Sequence, residues 1–294
     1  VQNKMLYMIG LGFMPEDISV RALRAVRSCT RVYLDTYTSV IISYEDMRHL
    51  MENVLQRTDL VQCDRKAVEQ EEDKIIADAL QYNVAFLVAG DVFCATTHTN
   101  LYLKAVQQKV SVVVMHNASI MTAVSCTGLE MYRFGRTVSI PIFTSTWRPS
   151  SFMDYYLENA RLNLHTLVLL QMSTRELDMD LYCNKGLERY SDPYYLLPNQ
   201  AACQILSLVD EHPDAYKQVS DKTLVVVCCR VGTDTQFIEL TTLGRCASQA
   251  DEYYGKPMYA LVVPSPTVAE QESRMLELFT EDANVRNMLK EVTR

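Results

Sequence analysis

Two short polar segments, Gly90-Asp91 and His116-Asn117, carry the side chains best placed for chemistry. Each follows an apolar run of strand length, residues 84–89 and 110–115, and each precedes residues of helical character. That order predicts two successive βα turns, with strand carboxyl ends and helix N-termini gathered in one place. Open parallel sheets bind ligands outside the carboxyl ends of their strands, and a helix start offers N–H groups without an intrahelical partner. Asp91 is an acceptor for a hydroxyl or an amino group, and Ser119-Ile120 stands at the second helix start. His98 and His116 are of a type that takes up protons near neutrality, but a place inside a βα turn favours helix capping or a loop hydrogen bond over the role of a base. Thr96, Thr97 and Thr99 read as turn and N-cap hydroxyls. Residues 84–123 are thus the expected floor of a small-molecule site.

These residues need a frame. Residues 5–10 read as a buried strand that breaks at Gly10-Leu11-Gly12, with Asp17 as the expected N-cap of a helix over 20–27. A Gly-x-Gly turn between strand and helix suits a phosphate loop or a plain tight turn. The third glycine of a dinucleotide fingerprint would fall at Pro15, which weakens the first reading and leaves both open. Further strands are expected at 31–34 and 60–63, and helices at 46–54 and 67–82, with a hydroxyl-rich loop from Asp35 through Thr36, Tyr37, Thr38 and Ser39. Strands alternating with helices predict a doubly wound parallel sheet. After Ser125 the pattern changes. Strands are expected at 137–140, 166–172, 224–229, 237–242 and 258–263, and helices at 151–162 and 199–210. The whole reads as an α/β protein of two domains. Residues 1–124 carry the parallel sheet and 125–294 a mixed sheet, with the boundary within 123–132.

Composition narrows the function. The chain has 294 residues and a net charge of −8, which argues against affinity resting on nucleic-acid phosphates. The acidic run Glu69-Gln70-Glu71-Glu72-Asp73 reads as a solvated helix start, and the acidic surface favours solubility over a basic partner. Nine cysteines, including Cys183 and the adjacent Cys228-Cys229, contain no C-x-x-C pair, which fits a reducing compartment and no zinc site. No apolar run reaches the length of a membrane span, and residues 1–10 lack a signal peptide's plan. Met5 is a candidate biological start, with the four residues before it an extension.

Seven segments in fixed order then match a known family: MLYMIGLG (5–12), YLDTYTS (33–39), GDVFCATTHTN (90–100), HNASIMTA (116–123), TVSIPIFTSTWRPSSF (137–152), NQAACQIL (199–206) and RVGTD (230–234). On them the chain resembles, essentially end to end, the tetrapyrrole-methylase-like family of S-adenosylmethionine-dependent methyltransferases, in its diphthine synthase branch. The resemblance implies a two-domain α/β enzyme, usually a cytoplasmic homodimer, with S-adenosylmethionine in the cleft between domains. It implies methylation of a 3-amino-3-carboxypropyl-modified histidine of translation elongation factor 2. Eukaryotic members trimethylate its amine and esterify its carboxylate; archaeal members stop at the amine. Carried over residue by residue, the cofactor positions are Phe13, Asp91, Cys94, Ser119, Ile120, Leu170, Val231 and Tyr259. Methylases of small tetrapyrroles and a non-catalytic binding protein are the competing readings.

Some positions depart from the family's pattern. Val92 and Cys94 stand where proline and glycine are usual, and Phe13 replaces a smaller aliphatic residue. Met14-Pro15 replaces Gly-Asp, Tyr259 a histidine, Pro264-Ser265-Pro266 a glycine-rich turn, and Tyr194 an arginine. Glycine tolerates φ > 0 and close approach, so the Cβ of Cys94 is expected to crowd the cofactor. Displacement at a sulfonium needs no acid and proceeds on positioning and desolvation, so no dedicated catalytic residue and no metal is expected. Asp35 is a candidate for a cationic substrate or a loop role, and Arg148 for a substrate carboxylate or a plain surface position. Trp147 and Tyr37 are aromatic candidates for a trimethylammonium.

Overall fold

The computed structural model describes residues 4–37, 44–69, 72–173 and 192–294. Thr38 and Ser39 of the hydroxyl-rich loop, Gln70 and Glu71 of the acidic run, and Cys183 lie outside the described residues. The described residues divide into two compact units, one holding the chain up to Met121 with Ser173, Asp192 and Pro193, the other Thr122–Met172 with Tyr194–Arg294.

The first unit is built on five parallel strands, β1 (Met5–Gly10), β2 (Arg31–Asp35), β3 (Val61–Cys63), β4 (Val84–Val88) and β5 (Ser111–Met115), in the order β3-β2-β4-β1-β5. Strand β4 is buried at every position, which is why it reads as an unbroken apolar run. Its side chains alternate between the sheet's two faces. Val84, Phe86 and Val88 pack with Ile75, Ile76 and Leu101, whereas Ala85 and Leu87 pack with Val26, Leu50 and Leu55. Both faces are therefore covered by helices, as the alternating pattern predicts.

Local differences have physical causes. Asp17 does not cap the helix Val20–Ser28; Ser19 does, its hydroxyl accepting from the Ala22 amide. Pro15–Asp17 forms a 3-10 turn instead, and the Asp17 carboxylate accepts from the Phe13 and Met14 amides, both at 2.9 Å. The helix expected over 67–82 is two helices, Arg65–Glu69 and Asp73–Gln81, the second opening on an acidic residue that favours a first turn. The helix expected over 46–54 begins at Tyr44–His49 and widens to π-helical geometry over Leu50–Leu55. The wider turn brings Leu50 and Leu55 together into the core.

The second unit carries β6 (Val138–Ile140), β7 (Thr166–Leu170), β8 (Leu224–Cys229), β9 (Phe237–Thr242) and β10 (Tyr259–Val263), in the order β9-β8-β10-β7-β6. β6 and β7 are parallel and the other pairs antiparallel, so the sheet is mixed. β7 stops at Leu170 rather than 172, and Gln171 continues the chain with its amide donating to the Ile140 carbonyl and its carbonyl accepting from the Leu196 amide, both at 3.0 Å. One face packs on the helices Ser151–Arg161 and Pro198–Glu211 through Phe152, Met153, Leu157, Ala201 and Ile205. Two further helices, Glu270–Leu276 and Ala283–Val292, follow β10 and bury Leu276, Val285 and Leu289.

A buried ionic network ties the end of this unit together. Glu272 is 1% exposed and its carboxylate takes four donors: the Glu130 and Ala269 amides, His165 Nε2 at 2.9 Å and an Arg133 guanidinium nitrogen at 2.5 Å. His165 Nδ1 accepts from the Ser265 amide, so this ring is neutral with its proton on Nε2. Burial holds the His165 pKa below that of a free histidine, against the raising effect of Glu272. Burial acts to raise the Glu272 pKa, but its hydrogen bonds outweigh that and keep it below the usual carboxylate value. Both folded pKa values are depressed, so the unfolded chain binds more protons in acid. Stability is therefore expected to be full above pH about 6.5, to fall as His165 becomes protonated on unfolding, and to fall again below pH about 4.3 through Glu272. Urea midpoints measured across that range check this; a midpoint that rises on acidification would contradict it, and His165→Gln is expected to flatten the upper limb.

Candidate active site

Strand order places β1 between β4 and β5, so the turns that leave these three strands are neighbours at one edge of the sheet. Phe13 lies in the turn after β1, Asp91 and Cys94 follow β4, and Ser119 and Ile120 follow β5. The first unit thus brings five of the sequence-derived positions to three adjacent strand ends. The turns after β1 and β4 join through their backbones. Gly12 and Gly90 exchange two hydrogen bonds, 3.1 and 2.7 Å, at φ values of +81° and +78° that favour glycine. Asn117 adds the third turn, its Nδ2 donating to the carbonyls of Gly10 and Asp17, both at 3.0 Å.

Asp91 locks the assembly from within. It is 4% exposed; Oδ1 accepts from the Phe93 amide at 2.9 Å, while Oδ2 accepts from the Asn117 amide at 3.0 Å and from His116 Nδ1 at 2.9 Å. Burial acts to raise its pKa, but the two amides and the histidine outweigh burial and hold the carboxyl below the usual carboxylate value. The helix after β4 begins only at Thr99, so a loop rather than a tight turn follows Asp91. The polar pairs at 90–91 and 116–117 were the signal of this lock, but their pairing across the sheet was not readable from spacing.

Close approach also limits what these turns accept. A Cβ on Gly10 would lie 2.6 Å from the Gly90 carbonyl oxygen. Gly10→Ala is therefore expected to push the turns apart and cost about 1–3 kcal/mol, the range of overpacked sites, with weaker cofactor binding. Denaturant titration and calorimetry with S-adenosylhomocysteine check both effects. At Gly90 there is room: a Cβ there would meet only the Ala118 carbonyl oxygen, at 3.8 Å.

The two candidate histidines separate clearly. His98 is fully buried, with Nδ1 3.0 Å from the Val92 carbonyl and Nε2 3.2 Å from Asp35 Oδ2, which is the loop hydrogen-bonding role. Asp35 is 2% exposed and also accepts from the Tyr37 amide, so its place is structural. His116 keeps 69% of its side chain exposed, and among the described residues only its Nδ1 is engaged. The Tyr37 hydroxyl bonds Glu69 and Thr97. Arg148 pairs at the surface with Glu211 and Ser207, and Trp147 is exposed.

Val92 is wholly buried in the core with Phe86 and Leu101. Cys94 is not in the left-handed region; Ala95 is, at φ +57°. The conformational demand for glycine therefore falls one residue later than the sequence comparison placed it.

In the second unit, Leu170, Val231 and Tyr259 also come together. Tyr259 pairs with Cys229 at the end of β8, just before Val231, and Ala260 pairs with Leu169, which sets Tyr259 opposite Leu170. The Tyr259 hydroxyl donates to the Gly255 carbonyl, and burial raises its pKa to about 12. Arg230 holds the neighbouring loop, donating to the carbonyls of Tyr254, Lys256 and Thr235.

Comparison with known proteins gives this arrangement its family. A model of the tetrapyrrole (corrin/porphyrin) methylases matches residues 5–247. The chain is 43% identical over 279 residues to the diphthine methyl ester synthase of Bos taurus, covering 94% of this chain and 95% of that protein. It is 42% identical over the same length, with the same coverage, to the Homo sapiens protein of that name. A crystal structure assigned as a diphthine synthase from Entamoeba histolytica superposes with a TM-score of 0.80 at 34% identity, covering 95% of this chain and all of that one. The chain belongs to the tetrapyrrole methylase family and is an S-adenosylmethionine-dependent methyltransferase.

Proposed function

We propose that the chain methylates the 3-amino-3-carboxypropyl side chain built on a histidine of translation elongation factor 2, in diphthamide biosynthesis, trimethylating the amine and esterifying the carboxylate. The observation that carries this reading is the end-to-end similarity to proteins named diphthine methyl ester synthase, over 94% of this chain. We place the cofactor against Phe13, Asp91, Cys94, Ser119, Ile120, Leu170, Val231 and Tyr259, and take the working form to be a cytoplasmic homodimer. The grouping of the first five at three adjacent strand ends, with open space beside Gly90, supports the placement.

S-adenosylmethionine, when bound, supplies a methyl group on a sulfonium. The chain's part is to bind, orient and desolvate. Asp91 fixes the turns after β4 and β5 at one separation, and the Gly12–Gly90 pair fixes the turn after β1 against them. Preorganisation of this kind lowers the barrier by positioning the reacting atoms. Calorimetry with S-adenosylhomocysteine tests the cofactor placement: binding is expected, and weakened by Gly10→Ala. No binding at millimolar concentration would leave a non-catalytic member of the family.

A further inference from the structure

The methylated amine enters as an ammonium, whose nitrogen has no lone pair until a proton leaves, whereas a carboxylate is nucleophilic as it stands. Resting on the function proposed above, we propose that His116 is the catalytic base for the amine steps alone, with Asp91 as its positioning residue. The geometry is that of an oriented imidazole. Asp91 Oδ2 lies 2.9 Å from Nδ1, and a carboxylate can only accept there, so the neutral ring carries its proton on Nδ1 and its lone pair on Nε2. Nε2 has no partner among the described residues, and the side chain is 69% exposed at the carboxyl end of β5, between the positions derived for the cofactor on either side. Asp91 is the ionised group that faces the ring, the Phe93 ring lies 6.3 Å away, and the amides of Phe93 and Asn117 keep Asp91 charged and in place.

In each amine step the ammonium N–H proton passes to the Nε2 lone pair. The freed nitrogen lone pair forms the new N–C bond as the S–C bond breaks, and that bond's electrons stay on sulfur. The imidazolium then gives its proton to solvent, which its exposure permits. Ester formation releases no proton from its nucleophile and makes no use of this residue.

The test uses the full chain, wild type and His116→Gln, with two forms of elongation factor 2: one with the unmethylated side chain, one with the amine already trimethylated. His116→Gln is expected to slow amine methylation about 100-fold or more at neutral pH, the usual size of a general-base contribution. Its rate should recover as pH rises and the substrate amine loses its proton unaided. Ester formation and affinity for S-adenosylhomocysteine are expected to stay within a small factor of wild type. Amine methylation at the wild-type rate, or equal loss of amine methylation, ester formation and S-adenosylhomocysteine binding, would overturn the assignment. A second readout needs no substrate. Nitrogen NMR of the free protein is expected to show His116 protonated on Nδ1, with that preference lost in Asp91→Asn; a ring protonated on Nε2 would overturn the proposal. If wild type methylates neither form, the substrate reading has failed, and the ring tautomer still decides the base.

Discussion

Asp91→Ala is expected to lower stability by about 3 kcal/mol and to weaken S-adenosylhomocysteine binding at least tenfold in the protein that remains folded. The substitution leaves the Phe93 and Asn117 amides without their acceptor in a site that is 4% exposed. Each buried donor so orphaned costs about 1–3 kcal/mol, and water entering the gap recovers part of it. The loss of binding has a separate origin, because the same carboxylate sets the distance between the turns after β4 and β5. Asp91→Asn retains one acceptor oxygen and is expected to fall between the two. Urea denaturation beside calorimetry measures both effects. Stability within about 0.5 kcal/mol of wild type, the range of ordinary surface changes, would contradict the structural role given to Asp91.

Glu272→Ala is expected to cost more stability and no binding. It leaves Arg133 and His165 facing a void along with the Glu130 and Ala269 amides, and breaking a buried pair by removing one partner costs about 3–5 kcal/mol. Glu272→Gln, which keeps an acceptor, should cost less. The network lies at the far end of the mixed sheet from the positions derived for the cofactor: His165 precedes β7, whereas Leu170 ends it. Affinity for S-adenosylhomocysteine below the melting range should therefore match wild type. A large loss of affinity with little loss of stability would reverse the roles assigned to these two carboxylates.

Much of the frame was legible because burial on both faces writes itself into sequence as uninterrupted apolar runs. β1, β4 and β8 are such runs, and the strand–helix alternation then dictates a parallel sheet in the first unit. Detail failed where side chains compete for the same backbone groups. Asp17 and Ser19 both suit an N-cap, and only the 3-10 turn at Pro15–Asp17 decides between them. The helices Glu270–Leu276 and Ala283–Val292 carry few apolar residues, so their buried stripes are short. Of the candidate site, the strand ends were legible and the partnerships were not. His116 and Asp91 are 25 positions apart in sequence, and Glu272 stands 107 from His165. Spacing along the chain holds no information about such pairs; the register of β1 between β4 and β5 creates the first of them.

The most direct test of the proposed function is mass spectrometry of elongation factor 2 bearing the aminocarboxypropyl-histidine, after incubation with this chain and S-adenosylmethionine. Four added methyl groups, one of them removed by mild base as an ester would be, is the expected result. Three methyl groups, all stable to base, would contradict the ester step. No added methyl group would contradict the function itself.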